Sequence, residues 1–190
     1  MTFYRLDAAL GDGDLWHIGD IAEVAENWVF DLLDRAPAPL SLHAPVAHHG
    51  AETDFSIGWR SFMFMSERAR QAVQATGVAD DEILFHPVAF GNYTPSQQFY
   101  ALGISKVQLC VDEARSEWSP CYYDKGETPM SRGFLRLYGA FFELWIDEAK
   151  VVGLNAFRLG GAQDAVIVSD RIRDAFAAAE LTGAIFTKVS

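Results

Sequence analysis

Two segments of this chain repeat the same order of patterns, and this repetition constrains the fold more than any other feature. Residues 62–88 and 165–189 each contain a short apolar strand, a serine that begins a helical pattern, and a second short apolar strand. The aligned pairs are Ser66 with Ser169, Arg68 with Arg171, Arg70 with Arg173, Ala72 with Ala175, Ala75 with Ala178 and, after a loop that is shorter in the second copy, Phe85 with Phe186 and Val88 with Val189. A unit that is used twice is expected to be a scaffold rather than an active site.

The helical part of each unit is amphipathic. Apolar or small residues recur at helical spacing, which places them on one face of a helix that packs against a sheet. These positions are held by Met65, Ala69, Ala72, Val73 and Thr76 in the first unit and by Val168, Ile172, Ala175, Phe176 and Ala179 in the second. Ser66 and Ser169 are expected to cap the helices by accepting a hydrogen bond from a free backbone amide.

The strands that precede these helices are apolar throughout. Phe62–Met65 and Ala165–Val168 do not alternate with polar residues, so we expect central strands that are covered on both faces. The predicted fold is α+β, with two related strand-helix-strand units and additional antiparallel strands packed as one compact body. A turn-rich connection at Phe90–Gln98 predicts a boundary between an N-terminal subdomain, 1–95, and a C-terminal subdomain, 96–190.

The remaining segments give weaker patterns. Phe3–Leu6 predicts a first strand, and the apolar spacing from Ile21 to Leu32 predicts a helix that ends before the prolines that follow. Arg35–Gly58 has no period and predicts a long loop. Further strands are predicted at 106–111, 122–125, 134–146 and 156–159.

The chain has a net charge of −11 and a pI of about 4.7. This charge argues against nucleic-acid binding, which needs clustered Lys and Arg, and it would speed the encounter with a basic protein. We interpret the acidic clusters as solvated surfaces that maintain solubility. These clusters are Asp20, Glu23, Glu26, Asp31 and Asp34, then Asp80, Asp81 and Glu82, then Asp112 and Glu113, and finally Asp147 and Glu148.

No apolar run approaches the roughly 20 residues that a membrane span needs, and the N-terminus lacks the pattern of a secretory signal. We therefore expect a cytoplasmic protein that does not contact a membrane. Cys110 and Cys121 are expected to be free thiols. Cys110 lies in an apolar strand pattern, where a thiol is inert.

A search for catalytic chemistry returns one weak cluster. His43, His48 and His49 lie near Glu52 and Asp54 in the sequence, but they lack the one-turn helical spacing of a zinc protease. We expect no metal, no cofactor and no catalytic residue. A small metal-dependent or hydrolytic enzyme that uses the three histidines is the alternative.

The second half resembles a known family. The motifs that carry the resemblance are Lys106–Asp112 with Arg115-Ser116, then Leu144–Asp147, Phe157–Leu159, Val166–Asp170 and Leu181–Phe186. Together they resemble the eleventh family of bacterial polymorphic-toxin immunity proteins, with a looser match in the first half at Phe64–Arg68. The resemblance implies a small cytoplasmic protein, encoded beside a toxin, that binds the toxin and blocks it without catalysis.

A toxin-binding protein needs an exposed contact surface, and such surfaces are enriched in aromatic anchors. Several aromatic and acidic residues fall in predicted loops. The candidate partner-binding residues are Glu52, Asp54, Trp59, Trp118, Tyr122, Tyr123 and Asp124. The predicted partner is a cognate toxin domain. A regulatory protein-interaction module would show the same pattern, and the neighbouring gene would distinguish the two.

Overall fold

The computed structural model describes residues 1–9, 14–24, 29–58, 61–78, 80–121 and 138–189, except for the side chains of 29–31. This part of the chain is α+β, as predicted. Its helices are α1 (Val29–Asp34), α2 (Glu67–Ala75) and α3 (Asp170–Ala178), with a short 3₁₀ helix at Glu148–Lys150. Its strands are β1 (Phe3–Ala8), β2 (His17–Ile18), β3 (Leu42–Ala44), β4 (Val46–His48), β5 (Phe55–Ile57), β6 (Met63–Ser66), β7 (Ile83–Phe90), β8 (Phe99–Ile104), β9 (Val107–Gln108), β10 (Glu117–Pro120), β11 (Tyr138–Glu143), β12 (Ala156–Leu159), β13 (Ala162–Ser169) and β14 (Ala184–Lys188).

Within the described ranges, the strands form two five-stranded sheets and two small ones. The first large sheet has the order β3-β7-β8-β6-β5, and the second has the order β14-β1-β13-β12-β9. The small sheets pair β2 with β4 and β10 with β11. β6 and β13 each have a neighbour on both sides, so the prediction that they are central strands is confirmed.

Both units have the order of strand, helix and strand. In β6-α2-β7 and in β13-α3-β14, the two strands run parallel and are separated by a third strand that runs antiparallel to both. The separating strand is β8 in the first unit, where it directly follows β7 along the chain. In the second unit it is β1, which comes from the other end of the chain. The same strand arrangement is thus connected in two ways, related as in a circular permutation.

The separating strands also match in sequence and register. Phe99–Leu102 (FYAL) and Phe3–Leu6 (FYRL) differ at one position. The phenylalanine of each lies opposite the serine that precedes the helix, Ser66 in the first sheet and Ser169 in the second. The first and second sheets therefore place equivalent residues at equivalent positions.

The helices contact these strands in the same way. The guanidinium carbon of Arg70 on α2 lies 5.1 Å from the ring centroid of Tyr100. The guanidinium carbon of Arg173 on α3 lies 4.5 Å from the ring centroid of Tyr4. Each cation–π contact holds a helix over the separating strand of its own sheet.

One central core joins the two units. It combines the buried faces of α2 and α3 with one side of both large sheets. Its buried members are Leu6, Phe55, Met63, Met65, Ala69, Val73, Val78, Ile83, Leu102, Ile104, Ala156, Val166, Val168, Ile172 and Phe176. Met63 and Met65 lie in this core, whereas Phe62 and Phe64 lie in a second cluster. Both faces of β6 are therefore covered, which explains its unbroken apolar sequence.

Each large sheet has a further cluster on its other side. The first sheet is covered by Trp16, Ile18, Ile21 and Leu33, which come from the N-terminal segment. The second sheet is covered by Cys110, Leu144, Ile146 and Val151, which come from the segment between β9 and β12. The segment between β9 and β12 also contains the β10–β11 hairpin.

Buried carboxylates connect the two halves of the chain. Asp34 accepts hydrogen bonds from Arg158, with Nε–Oδ2 and Nη2–Oδ1 distances of 2.6 and 3.2 Å. Glu82 accepts from the backbone amides of Asn155 and Ala156 at 2.7 and 2.9 Å. The interpretation of Asp34 and Glu82 as solvated charges is wrong, because they are only 7% and 4% exposed and are held by groups from the other half.

Asp54 makes a third connection between the halves. Its carboxylate accepts from the Ser66 hydroxyl at 2.7 Å and from the Thr182 amide at 3.1 Å. The amide of Phe55 donates in turn to the Thr182 carbonyl at 3.0 Å. Buried acceptors of this kind cost free energy unless their donors are in place, so they specify how the two units dock.

The two serines that precede the helices differ in their role. The Ser66 hydroxyl accepts from the Ala69 amide at 3.2 Å and caps α2 as predicted. Ser169 occupies the same position before α3, but its side chain makes no capping hydrogen bond. The predicted side-chain cap is wrong there, because the Ser169 hydroxyl donates to Asn155 Oδ1 at 3.2 Å instead.

Two local predictions in the first half also differ from the structure. Residues 22–24 form a turn, and α1 begins at Val29 rather than at Ile21. The segment Arg35–Gly58, predicted as a loop, contains β3, β4 and β5. These strands pair with β7, β2 and β6, and a three-residue strand defined by such partners leaves no local period.

The boundary between 1–95 and 96–190 stays a prediction about the organisation of the chain. β1 comes from the first part but lies inside the second large sheet, and β8 comes from the second part but lies inside the first sheet. Each sheet thus takes one inner strand from the other part.

Candidate partner interface

The β10–β11 hairpin carries a cluster of aromatic side chains. The ring centroid of Trp118 lies 4.9 Å from that of Tyr138, which lies 5.1 Å from that of Phe141. Trp118, predicted in a loop, instead belongs to β10, because this short strand is defined by its pairing with β11, far along the chain. The hairpin belongs to neither large sheet.

The hairpin is irregular beside this cluster. Its register shifts between Glu117 and Trp118, so Phe142 has no residue directly opposite. Phe142 is 72% exposed, which leaves most of a large aromatic ring in contact with solvent. Such irregularities re-aim a side chain and are common next to functional sites.

Two carboxylate side chains lie on directly paired residues next to this irregularity. Glu117 and Glu143 are partners across the β10–β11 ladder, and both are exposed. Like charges directly opposite each other destabilise a pair of strands. The Glu143 carboxylate also accepts a hydrogen bond of 2.8 Å from the indole nitrogen of Trp145.

The turns that flank the hairpin are acidic as well. The segments 109–121 and 138–150 contain the acidic residues Asp112, Glu113, Glu117, Glu143, Asp147 and Glu148 and the basic residues Arg115 and Lys150. Arg115 pairs with Asp112 at 2.7 Å, and this hydrogen bond lowers the pKa of Asp112. Lys150 lies 3.6 Å from Asp147. Both basic side chains are therefore paired with carboxylates in the turns and not with the opposed pair in the ladder.

The candidate residues of the first half lie elsewhere. Glu52 accepts from the Tyr93 hydroxyl and from the Ser96 amide, both at 2.9 Å, and so holds the connection between β7 and β8. Asp54 is 4% exposed and serves the junction between the units. We leave Asp54 out of the candidate surface because its carboxylate is already bound within the chain.

Four further candidates, Trp59, Tyr122, Tyr123 and Asp124, lie outside the described residues. Tyr122, Tyr123 and Asp124 belong to the segment that joins β10 to β11. They are therefore continuous in sequence with the hairpin.

The histidines of the alternative enzyme site each contact a different neighbour. His43 Nδ1 lies 2.5 Å from Glu23 Oε1, the His48 ring centroid lies 5.8 Å from that of His17, and the His49 ring centroid lies 5.4 Å from that of Tyr93. Among the described residues, no group of three or more His, Cys, Asp or Glu side chains is placed to hold a metal ion. Cys110 is fully buried, and burial raises the pKa of its thiol to about 12, which makes it a poor nucleophile.

Sequence reasoning named Trp118 but missed Phe142, Glu143 and the opposed carboxylates. One signal was present, since two adjacent phenylalanines in a predicted strand cannot both face the same core. The opposition of Glu117 and Glu143 left no signal, because it depends on the register between distant strands.

In the part that the structure describes, no helix is long and apolar enough to cross a membrane. No curated protein matches the chain at a significant level. A family model described as Immunity protein family (Imm11) matches residues 30–190, which include α2, α3 and the whole of the β10–β11 hairpin. Because this match spans well over half of the sequence, the chain belongs to the Immunity protein family (Imm11).

Proposed function

We propose that this protein binds a toxin encoded beside its own gene, in the cytoplasm, and neutralises it without catalysis. Membership of an immunity protein family supports a role in toxin immunity and a protein toxin as the partner. Inhibition by binding needs only a surface that covers the toxin and requires no reacting group.

The β10–β11 hairpin carries this proposal, because the aromatic ring of Phe142 is exposed there. Contiguous exposed apolar surface rimmed by polar residues is typical of sites where a protein meets a partner. We define the hairpin surface as the side chains of Glu117, Trp118, Phe142 and Glu143, and we propose that Tyr122, Tyr123 and Asp124 extend it. Glu52 and Trp59 remain separate candidates for contact.

The contacts of the histidines favour binding over an enzymatic role. His43 bonds a carboxylate, whereas His48 and His49 each lie beside another ring. An acid–base or metal mechanism needs such groups to converge on one reacting atom. A non-catalytic inhibitor makes no such demand.

Co-expression tests the proposal. Cells that carry the toxin domain encoded by the adjacent gene should survive only when this protein is present, and the two proteins should co-purify. A variant with His43, His48 and His49 replaced by alanine serves as the control and should protect equally well. Survival without a physical complex, or loss of protection in that control with its fold intact, would favour the enzyme.

A further inference from the structure

We propose that Glu117 and Glu143 together form a receptor for a basic side chain of the partner, so that the hairpin surface docks on a basic face of the toxin. This inference rests on the proposed function and adds the docking site and the chemistry of the partner. It follows from three features of the hairpin.

The first feature is the electrostatic conflict in the ladder. Side chains directly opposite each other on antiparallel strands have Cβ atoms roughly 4.5–5.5 Å apart. Glu117 and Glu143 occupy such positions. In the described ladders, no other strand pair opposes two residues of the same formal charge. The free protein thus maintains a repulsion that a cation between the two carboxylates would remove.

The second feature is that the basic side chains described in the flanking turns, Arg115 and Lys150, have partners other than Glu117 and Glu143. Arg115 stacks on Trp145, with its guanidinium carbon 4.6 Å from the ring centroid, and pairs with Asp112. Lys150 pairs with Asp147. A basic side chain from a partner would make charge-assisted hydrogen bonds to both opposed carboxylates, which are among the stronger hydrogen bonds in proteins.

The third feature is an exposed aromatic ring next to the carboxylates in the chain. Phe142 is largely exposed at the irregularity and directly precedes Glu143. Arg and Lys pack their alkyl stems on apolar surface and place their charge against aromatic rings or carboxylates. Two carboxylates with an adjacent exposed aromatic ring therefore fit a basic partner better than an acidic or purely apolar one.

Substitutions at Glu117 separate docking from folding. In the free protein, Glu117→Gln removes the repulsion and Glu117→Lys replaces it with an attraction, so the thermal midpoint should rise in both variants. Toward the toxin domain encoded by the adjacent gene, the dissociation constant of Glu117→Lys should increase at least about tenfold. Binding by the wild-type protein should weaken with salt more steeply than binding by Glu117→Gln.

Matched controls lie outside the hairpin. Glu180→Gln removes an exposed carboxylate after α3, and Ile185→Ala trims an exposed apolar side chain on β14. Both should bind as tightly as the wild type, whereas Phe142→Ala should dissociate faster. Wild-type affinity in Glu117→Lys, or lower thermal midpoints in both Glu117 variants, would overturn the inference. Failure of the wild-type protein to bind the toxin at all would instead refute the proposed function.

Discussion

At the residue scale, Gly183 explains why the Leu-Thr-Gly turn before β14 has its sequence. Its φ is +90°, and a Cβ at this position would lie 2.1 Å from the Phe55 carbonyl oxygen. Gly77 also has a positive φ, +75°, but a Cβ there would meet nothing within 4 Å. At Gly77 a side chain would meet only the strain of the positive φ, whereas at Gly183 it would also clash with the neighbouring backbone.

We expect Gly77→Ala to cost about 1–2 kcal/mol, the cost of the left-handed conformation alone. Gly183→Ala should cost more than about 3 kcal/mol, because the junction with Phe55 must also move. Denaturant midpoints of both variants measure the difference. Equal losses would show that the close approach at Gly183 contributes nothing.

His86 couples stability to pH. Its ring is 1% exposed, accepts from the Leu40 amide at 3.1 Å and donates to the Leu33 carbonyl at 2.9 Å, so the neutral form is bound. Burial lowers the pKa of His86 below its ordinary value of 6.5. As the pH falls through 6.5, His86 becomes protonated in the unfolded chain but stays neutral in the folded one. The free energy of unfolding therefore decreases as the pH falls. His86→Gln should flatten this decrease between about pH 7 and 5. Urea titrations at several pH values measure the free energy of unfolding. If it decreased between about pH 7 and 5 as steeply in His86→Gln as in the wild type, the assignment would be contradicted.

At the scale of elements, α3 is held by its apolar face. Phe176 is 3% exposed, and its ring centroid lies 5.4 Å from that of Phe186 and 6.5 Å from that of Phe55. Phe176→Ala should lower the free energy of unfolding by roughly 3–5 kcal/mol, because it leaves a cavity in the central core. Arg173→Ala loses the contact with Tyr4, worth about 0.5–1 kcal/mol at a partly exposed site. It also loses an exposed ion pair with Asp174, which contributes little. Similar losses of unfolding free energy for both variants would show that the buried face is misassigned.

The elements that could be predicted from the sequence are those with local causes. The apolar stripes of α2 and α3 repeat within each helix, and apolar clusters cover both faces of β6. The sequence of each of these segments was therefore enough to predict its structure. β3, β4 and β5 could not be predicted, because their partners lie far along the chain. The same reason hid the site. Trp118 was visible as an aromatic residue, but the opposition of Glu117 and Glu143 exists only once β10 and β11 are paired.

At the scale of the molecule, we expect the halves to depend on each other for folding. Fragment 1–95 lacks β8, which lies between β6 and β7, and fragment 96–190 lacks β1, which lies between β13 and β14. In each fragment, two strands would lose the strand between them and expose unpaired backbone N–H and C=O groups. We therefore expect neither fragment to show a cooperative thermal transition by circular dichroism. Mixing the fragments should restore the transition. A cooperative transition in either fragment alone would show that the subdomains fold independently.

The acidic composition also acts at this scale, but the charges divide into two sets. Asp34, Asp54 and Glu82 are buried and join the halves, so they are unavailable to a partner. The exposed carboxylates of the hairpin, Glu117 and Glu143, do not join the halves. The net charge of −11 was apparent from the sequence, but this division was not, because a charged residue does not show in the sequence which donors surround it.

Titration of toxin activity with this protein tests the central claim most directly. If the protein neutralises by binding, activity should fall linearly with added protein and reach its minimum at one equivalent, with no further change over time. Separation of the complex under conditions that promote dissociation should return active toxin. Complete inactivation by a small fraction of one equivalent, increasing with time and persisting after this protein is removed, would mean that it acts as a catalyst and would contradict the account.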